Sequence, residues 1–368
     1  MAQEPGSRKK PTASHLAALA AEIDRLDRDL LKALNLRAKR TQDLIRADPD
    51  SDIARASGQA ETRLDDLVGR NKGPLTGPCI RAIFRELASD VRALEKPLRV
   101  AFLGPAYSYS HVATLQRFGS SGDLLPVASI AAVFEEVNRG QAQFGVVPLE
   151  NSTDGRVADT LDMFTRLRVR VCGEVPLRIR HHLLGRCSRS EVTEVYSKPQ
   201  ALSQCRNWLA RHLPTARTIE VTSTSTAAQL AQDKPTAAAI ASLQAGIHYN
   251  LEVLAEDIED NPSNVTRFAV IGADSASRTG ADKMAAMFEV EHRPGALAEA
   301  MNVFKRNRLN MTWIESFPIA RPEGGYLFFI ELDGHEADLK VRRALAALGK
   351  RTLRLEVLGS YPRSQPIG

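Results

Sequence analysis

The chain has 368 residues, 43% of them hydrophobic, enough for two or three domains with large cores, and no apolar run of membrane-spanning length. Its formal charge of +5 comes from Lys and Arg interleaved with Asp and Glu, without a basic block carrying aromatics, so neither nucleic acid nor membrane is an expected partner. The N-terminus has no apolar signal block, and Cys79, Cys172, Cys187 and Cys205 are scattered without close pairing; a reducing cytoplasm fits best, with no metal site or disulfide framework.

From His15 to Lys96 the periodicity is helical. Leu16, Leu19, Ile23, Leu26, Leu30 and Ala33 recur at three- and four-residue steps and form one apolar stripe. Gly58, Gly69 and the pairs Gly73-Pro74 and Gly77-Pro78 punctuate the middle of this region. A second strong helix runs from Pro78 through Ile80, Ile83, Phe84, Leu87, Val91 and Leu94 until Pro97 stops it. Three helices with one narrow seam each make too small a core alone. A homodimer or homotetramer with intertwined helices is the expected solution.

From Leu98 to about Ala273, short apolar strands alternate with helices. Arg99 to Leu103, Phe144 to Val147, Ala237 to Ile240 and Phe268 to Ile271 read as buried strands, with helices at Ile130 to Arg139 and Ala201 to His212. This pattern predicts an open α/β sheet, whose ligands gather in loops beyond the strand ends, often between two lobes. Asp274 to Asp282 reads as a linker. Strands at Ala286 to Val290, Met311 to Ser316, Tyr326 to Leu332 and Leu353 to Leu358, with helices at Ala296 to Arg306 and Glu336 to Leu348, give a ferredoxin-like βαββαβ order.

The densest chemistry lies at Asn264-Val265-Thr266-Arg267-Phe268, at the mouth of a buried strand. A compact hydroxyl beside a permanent cation suits a small, multiply anionic ligand. Two earlier segments stand beside it: Gly104-Pro105-Ala106-Tyr107-Ser108-Tyr109-Ser110-His111 and Val147-Pro148-Leu149-Glu150-Asn151-Ser152. A further one is Ser197-Lys198-Pro199-Gln200-Ala201-Leu202-Ser203-Gln204-Cys205, a strand end leading into a helix whose N-terminus can receive an anion. Of these, the segments that begin at Gly104, Val147 and Asn264 resemble, in that order, the signature regions of prephenate dehydratases, with one departure: the family usually has glycine where this chain has Tyr107.

The resemblance implies a two-lobed, periplasmic-binding-protein-like domain over residues 97–275. It would expel a ring hydroxyl and a ring carboxylate from prephenate to make phenylpyruvate, with no cofactor. Thr266 is then the residue essential for dehydration, a positioned donor in a desolvated pocket, and Arg267 pairs a substrate carboxylate. Glu150 is an alternative proton donor, and Asn151 offers both donor and acceptor. Ser108, Ser197, Gln200, Gln204 and Asn264 would line the substrate pocket. The competing class is a non-catalytic two-lobed small-molecule binding protein.

Residues 1–96 are similar to the all-helical chorismate mutase domain, most clearly at Ile23-Asp24-Arg25-Leu26-Asp27. Arg37 falls where that family binds a carboxylate, and Asp52, Arg55 and Glu95 fall at other site positions. Family cations are replaced by Ala20 and Asp48, a glutamate by Ala56 and a serine by Val91, so mutase activity is expected to be weak or lost. Residues 284–363 resemble ACT regulatory domains at Arg293-Pro294-Gly295-Ala296-Leu297 and Trp313-Ile314-Glu315-Ser316-Phe317-Pro318. The resemblance implies phenylalanine as effector, held by Gly295, Ala296, Leu297, Glu315 and Ser316. The family's usual arginine in the second motif is here Phe317.

Overall fold

A computed structural model of the chain describes residues 12–48, 58–95, 97–319 and 325–367. Packing divides it into two compact units, Met1–Arg55 and Ala56–Gly368. The described part of the first is a single helix, α1 (Ala13–Ala47), which Thr12 caps by accepting from the His15 N–H at 3.3 Å. Its apolar stripe is formed but uncovered, with Leu16, Leu19, Ile23, Leu26 and Leu30 between 44% and 57% exposed. A long helix draws most of its stability from covering such a stripe.

The second unit opens with α2 (Gly58–Gly69) and α3 (Gly77–Glu95). They are followed by β1 (Arg99–Leu103), α4 (Tyr109–Phe118), β2 (Asp123–Val127), α5 (Ile130–Asn138), β3 (Phe144–Asn151), the two-residue β4 (Gly155–Arg156), α6 (Ala158–Arg166) and β5 (Arg170–Arg178). The sequence boundary between 96 and 97 is not a break in packing. Arg85 donates to Gln116 at 2.6 Å, the Ser121 N–H donates to Ser89 at 3.2 Å, and buried Arg92 donates to the Phe118 carbonyl at 3.3 Å.

The chain then crosses to a second sheet made of β6 (His182–Gly185), β7 (Glu194–Ser197), β8 (Arg217–Glu220), β9 (Ala237–Ala241) and β10 (Glu252–Ala255). Its helices are α7 (Pro199–Gln204), α8 (Arg206–His212), α9 (Thr224–Gln232) and α10 (Leu243–His248). The helix expected over 201–212 is thus two helices, parted at Cys205. Strand β11 (Val265–Gly272) returns to the first sheet and lies between β3 and β5, antiparallel to both. Phe268 and Val270 face one side of that sheet; Ala269 and Ile271 face the other, so the run reads as continuously apolar.

A third, four-stranded antiparallel sheet completes the unit, built from β12 (Asp282–Glu289), β13 (Met311–Pro318), β14 (Tyr326–Asp333) and β15 (Arg354–Pro362) in the order β13-β14-β12-β15. Helices α11 (Ala296–Arg306) and α12 (Leu339–Gly349) cover one face, around Phe288, Phe304, Ile330 and Leu332. The opposite face carries Met287, Phe329 and Tyr361 and shares a core with Phe134 and Phe164 of α5 and α6. The stretch read as a linker is pinned to this sheet: the Ala276 N–H donates to the Ser360 carbonyl at 2.9 Å. No described helix is long and apolar enough to cross a membrane.

Candidate active site

Two crossings join the first and second sheets, and the polar segments gather beside them. The Ile179 N–H donates to the Asn264 carbonyl at 2.9 Å, and the Ile258 N–H to the His181 carbonyl at 2.8 Å. Strand register sets Thr266 opposite Asn151. The Asn151 carboxamide N–H donates to the Thr266 hydroxyl at 2.7 Å, and its oxygen accepts the N–H groups of Thr153 at 2.9 Å and Asp154 at 3.1 Å. With Asn151 so fixed, Thr266 is an acceptor on that side, and its own proton is left to point elsewhere.

Asn264, 1% exposed, continues the network. Its carboxamide donates to Gln204 at 3.1 Å and accepts from Thr153 at 3.2 Å. Gln204 in turn donates to Asp154 at 3.0 Å, and Gln200 donates to the same carboxylate oxygen. Asp154, on the β3–β4 turn, therefore ties the first sheet to α7 of the second. The acceptor-only carboxylate fixes the Gln204 amide, so the oxygen of Gln204 faces His181 Nε2 at 2.9 Å and that ring nitrogen must donate. Burial pushes the imidazole of His181 below its ordinary pKa. Its Nδ1 lies 2.9 Å from the Tyr109 hydroxyl.

Arg267 departs from the expectation. It lies within β11 rather than at its mouth, and successive residues of a strand point to opposite faces. Its guanidinium therefore turns away from Thr266, towards the third sheet. There it donates to Glu150 at 2.8 Å, to Glu174 at 3.2 Å and to Glu331 at 2.7 and 2.8 Å. Its guanidinium carbon lies 5.7 Å from the centre of the Trp313 ring. Lys283 also donates to Glu174, at 2.9 Å, and the Tyr361 hydroxyl donates to Glu331 at 2.6 Å. Burial opposes the charge on Arg267, but Glu331, Tyr361 and Glu174 together raise its pKa above the ordinary value. A carboxylate-gripping role in the pocket is thus corrected to an internal ion knot. Glu150 is corrected with it, since its carboxylate answers Arg267 on the same far face and not the Thr266 side.

Two further pocket expectations change. The Ser197 hydroxyl is fully buried and donates to the Ile240 carbonyl at 2.7 Å, holding β7 on β9. Ser108 is the N-cap of α4, and its hydroxyl donates to the Leu103 carbonyl at 3.3 Å. Tyr107 keeps the left-handed backbone that glycine would favour, at φ 65°. Its ring stacks on His248 at 3.7 Å between centroids, an attraction that offsets strain of about 1 kcal/mol. His181 and Asp154 were missed by sequence reasoning. Asp154 comes two residues after the Glu150-Asn151-Ser152 segment, a signal that could have found it; His181 carries no pattern.

Residues 100–276 match the Prephenate dehydratase family. The chain is 40% identical over 361 residues to a bifunctional chorismate mutase/prephenate dehydratase of Stutzerimonas stutzeri, covering 96% of this chain and 99% of the relative. The chain belongs to this bifunctional family. The fold is similar to a prephenate dehydratase from Arthrobacter aurescens solved in complex with L-Phe (TM-score 0.68, 34% identity, 72% of this chain and 90% of that one). It is also similar to the prephenate dehydratase of Staphylococcus aureus (TM-score 0.64, 30% identity, 72% and 100%).

The remaining positions of this bifunctional-family chain fall in separate places. Gly295, at φ 83°, precedes α11, and Ala296 and Leu297 begin that helix on the helical side of the third sheet. Glu315 and Ser316 alternate on β13. Ser316 pairs with Phe328 on the helical side; Glu315 pairs with Phe329 on the other. Within one chain Glu315 and Gly295 thus lie on different sides of the sheet, and Glu315 accepts from Arg156 at 2.7 Å. Among the mutase-like positions, Arg37 is on α1 and Glu95 ends α3. Asp48 caps α1 just past its last turn, while Asp52, Arg55 and Ala56 lie outside the described residues.

Proposed function

We propose that the chain turns prephenate into phenylpyruvate at the Thr266–Asn151 pair, between the two lobes of a periplasmic-binding-protein-like domain over residues 97–275. It is a prephenate dehydratase by family. In the reaction the C–CO₂⁻ bond breaks, its electron pair enters the ring, and the ring hydroxyl leaves as water on accepting a proton. Aromatisation supplies the driving force, so the protein must hold two carboxylates and deliver that proton. Thr266 is the donor in this reading, with its proton returned from solvent. The observation that carries the reading is the 2.7 Å bond from Asn151, which leaves the Thr266 proton free for a substrate oxygen. A neutral alcohol is a weak acid; it works as a preorganised dipole where water is excluded. Gln200, Gln204 and Asn264 form the adjoining amide wall.

The test is direct. Purified chain should form phenylpyruvate from prephenate, and Thr266→Ala should lower kcat by about 10²–10³-fold while leaving the circular dichroism spectrum unchanged. A chain that binds prephenate without turnover would instead be a two-lobed binding protein.

Residues 1–96 serve chiefly in assembly, the uncovered stripe of α1 being buried against a second copy; Leu26→Asp should yield monomers in light scattering. Their mutase activity is weak or absent. A carboxylate such as Asp48 about 4 Å from a substrate carboxylate would repel it by about 4 kcal/mol at an effective dielectric near 20. Chorismate consumption at an ordinary enzymatic rate would refute this. Residues 284–363 act as an ACT-type sensor that binds phenylalanine near Gly295, Ala296, Leu297 and Ser316, as the L-Phe complex of the Arthrobacter relative supports. The cytoplasm is the proposed compartment.

A further inference from the structure

We propose that Arg156 is a positioning residue for the dehydration, clamped by the edge strand of the third sheet so that the β3–β4 turn holds Asn151 against Thr266. This rests on the dehydratase reading above. The turn is short, and its near end is tied to β11, the Ser152 N–H donating to the Val265 carbonyl at 2.9 Å and the Ser152 hydroxyl accepting the Val265 N–H at 2.9 Å. β4 is only two residues long, pairing Gly155 with Asn151 and Arg156 with Glu150. Gly155 has φ 82°, and the space beside it is open. Yet this turn supplies the two N–H groups, from Thr153 and Asp154, that fix the Asn151 carboxamide. It also supplies the Asp154 carboxylate that accepts from Gln204. Any rotation of the turn therefore misdirects both the donor to Thr266 and the amide wall.

The far end of the turn is where the third sheet takes hold. Arg156 donates to Glu315 of β13 at 2.7 Å, and its guanidinium lies 4.8 Å over the ring of Phe317, two residues along the same face. Ion pair and ring together fix both the distance and the plane of the guanidinium. The side chains of Arg156 and Glu315 are 40% and 24% exposed, so the pair adds little to global stability. A kinetic effect larger than the stability effect is thus the mark of positioning.

The experiment compares Arg156→Gln, Arg156→Lys, Glu315→Gln and the double variant Arg156→Gln/Glu315→Gln in the full chain. Arg156→Gln and Glu315→Gln should each lower kcat for prephenate by about tenfold, the order of effect expected of a small misplacement. The thermal midpoint should stay within about 2 °C of the parent, as for a half-exposed pair. The double variant should be no worse than either single one, because both remove the same clamp. Arg156→Lys, which keeps charge and ring contact, should recover most of the rate. Amide exchange at Thr153 and Asp154 reads the clamp without turnover, and should quicken severalfold in Arg156→Gln. Unchanged exchange together with kcat within twofold of the parent would overturn the inference, as would losses that multiply in the double variant. A parent chain that does not convert prephenate would count against the dehydratase reading, while the exchange result would still decide whether the clamp exists.

Discussion

Thr266 and Arg267 are adjacent in the chain and serve opposite faces of one strand: Thr266 accepts from Asn151, and Arg267 grips Glu331 of the third sheet. The proton donor of the proposed reaction is thus one peptide unit from a buried ion contact between the catalytic and C-terminal regions.

Asn151→Asp should be as damaging to kcat as Thr266→Ala, about 10²–10³-fold. A carboxylate can only accept, so it would draw the Thr266 proton inwards and leave the substrate hydroxyl without a donor. Asn151→Ala leaves that proton free and should cost less. Steady-state kinetics on prephenate rank the three variants, and Asn151→Asp matching the parent would sink the assigned proton direction.

The ion knot sets a stability order. Arg267 and Lys283 face Glu150, Glu174 and Glu331, so carboxylates already outnumber cations. Arg267→Gln strands three carboxylates against one lysine and should cost about 3–5 kcal/mol. Glu331→Gln leaves two of each and should cost less. Urea unfolding midpoints of the two variants test the ranking.

Acid should loosen the chain partly through His181. Its folded pKa is depressed below the ordinary 6.5 by burial, so the unfolded chain binds the extra proton first as pH falls. The stability it contributes is complete above the unfolded value and is lost as pH drops from there through the folded pKa. His111 and His182 shift the same way, also through burial. The thermal midpoint between pH 8 and pH 5 should therefore fall less steeply in His181→Asn than in the parent; an equal slope would remove His181 from the account.

Phenylalanine should bind through the helical side of the third sheet. Gly295→Val, at a left-handed backbone position, should abolish the heat of binding in calorimetry, whereas Glu315→Gln should leave the affinity within about twofold, since Glu315 faces Arg156. Loss of binding in Glu315→Gln would restore that residue to the effector pocket.

Local pattern was enough for much of this. The stripe of α1, the apolar core of β11 and the order of the last four strands along the chain read from composition and spacing, because period and turn chemistry are properties of neighbouring residues. The segments around Asn151 and Thr266 were legible through their resemblance to a family's signature regions. Short or polar strands such as β2, β4 and β8 escaped, since their pairing partners and not their own sequence make them strands. The direction of Arg267, the loss of Glu150 from the Thr266 side, the parting of Glu315 from Ser316 and the link from Asp154 to α7 all depended on strand register and on which layer covers each face. One residue of alternation decides whether a charge meets the pocket or the sheet behind it, and only long-range pairing sets that alternation.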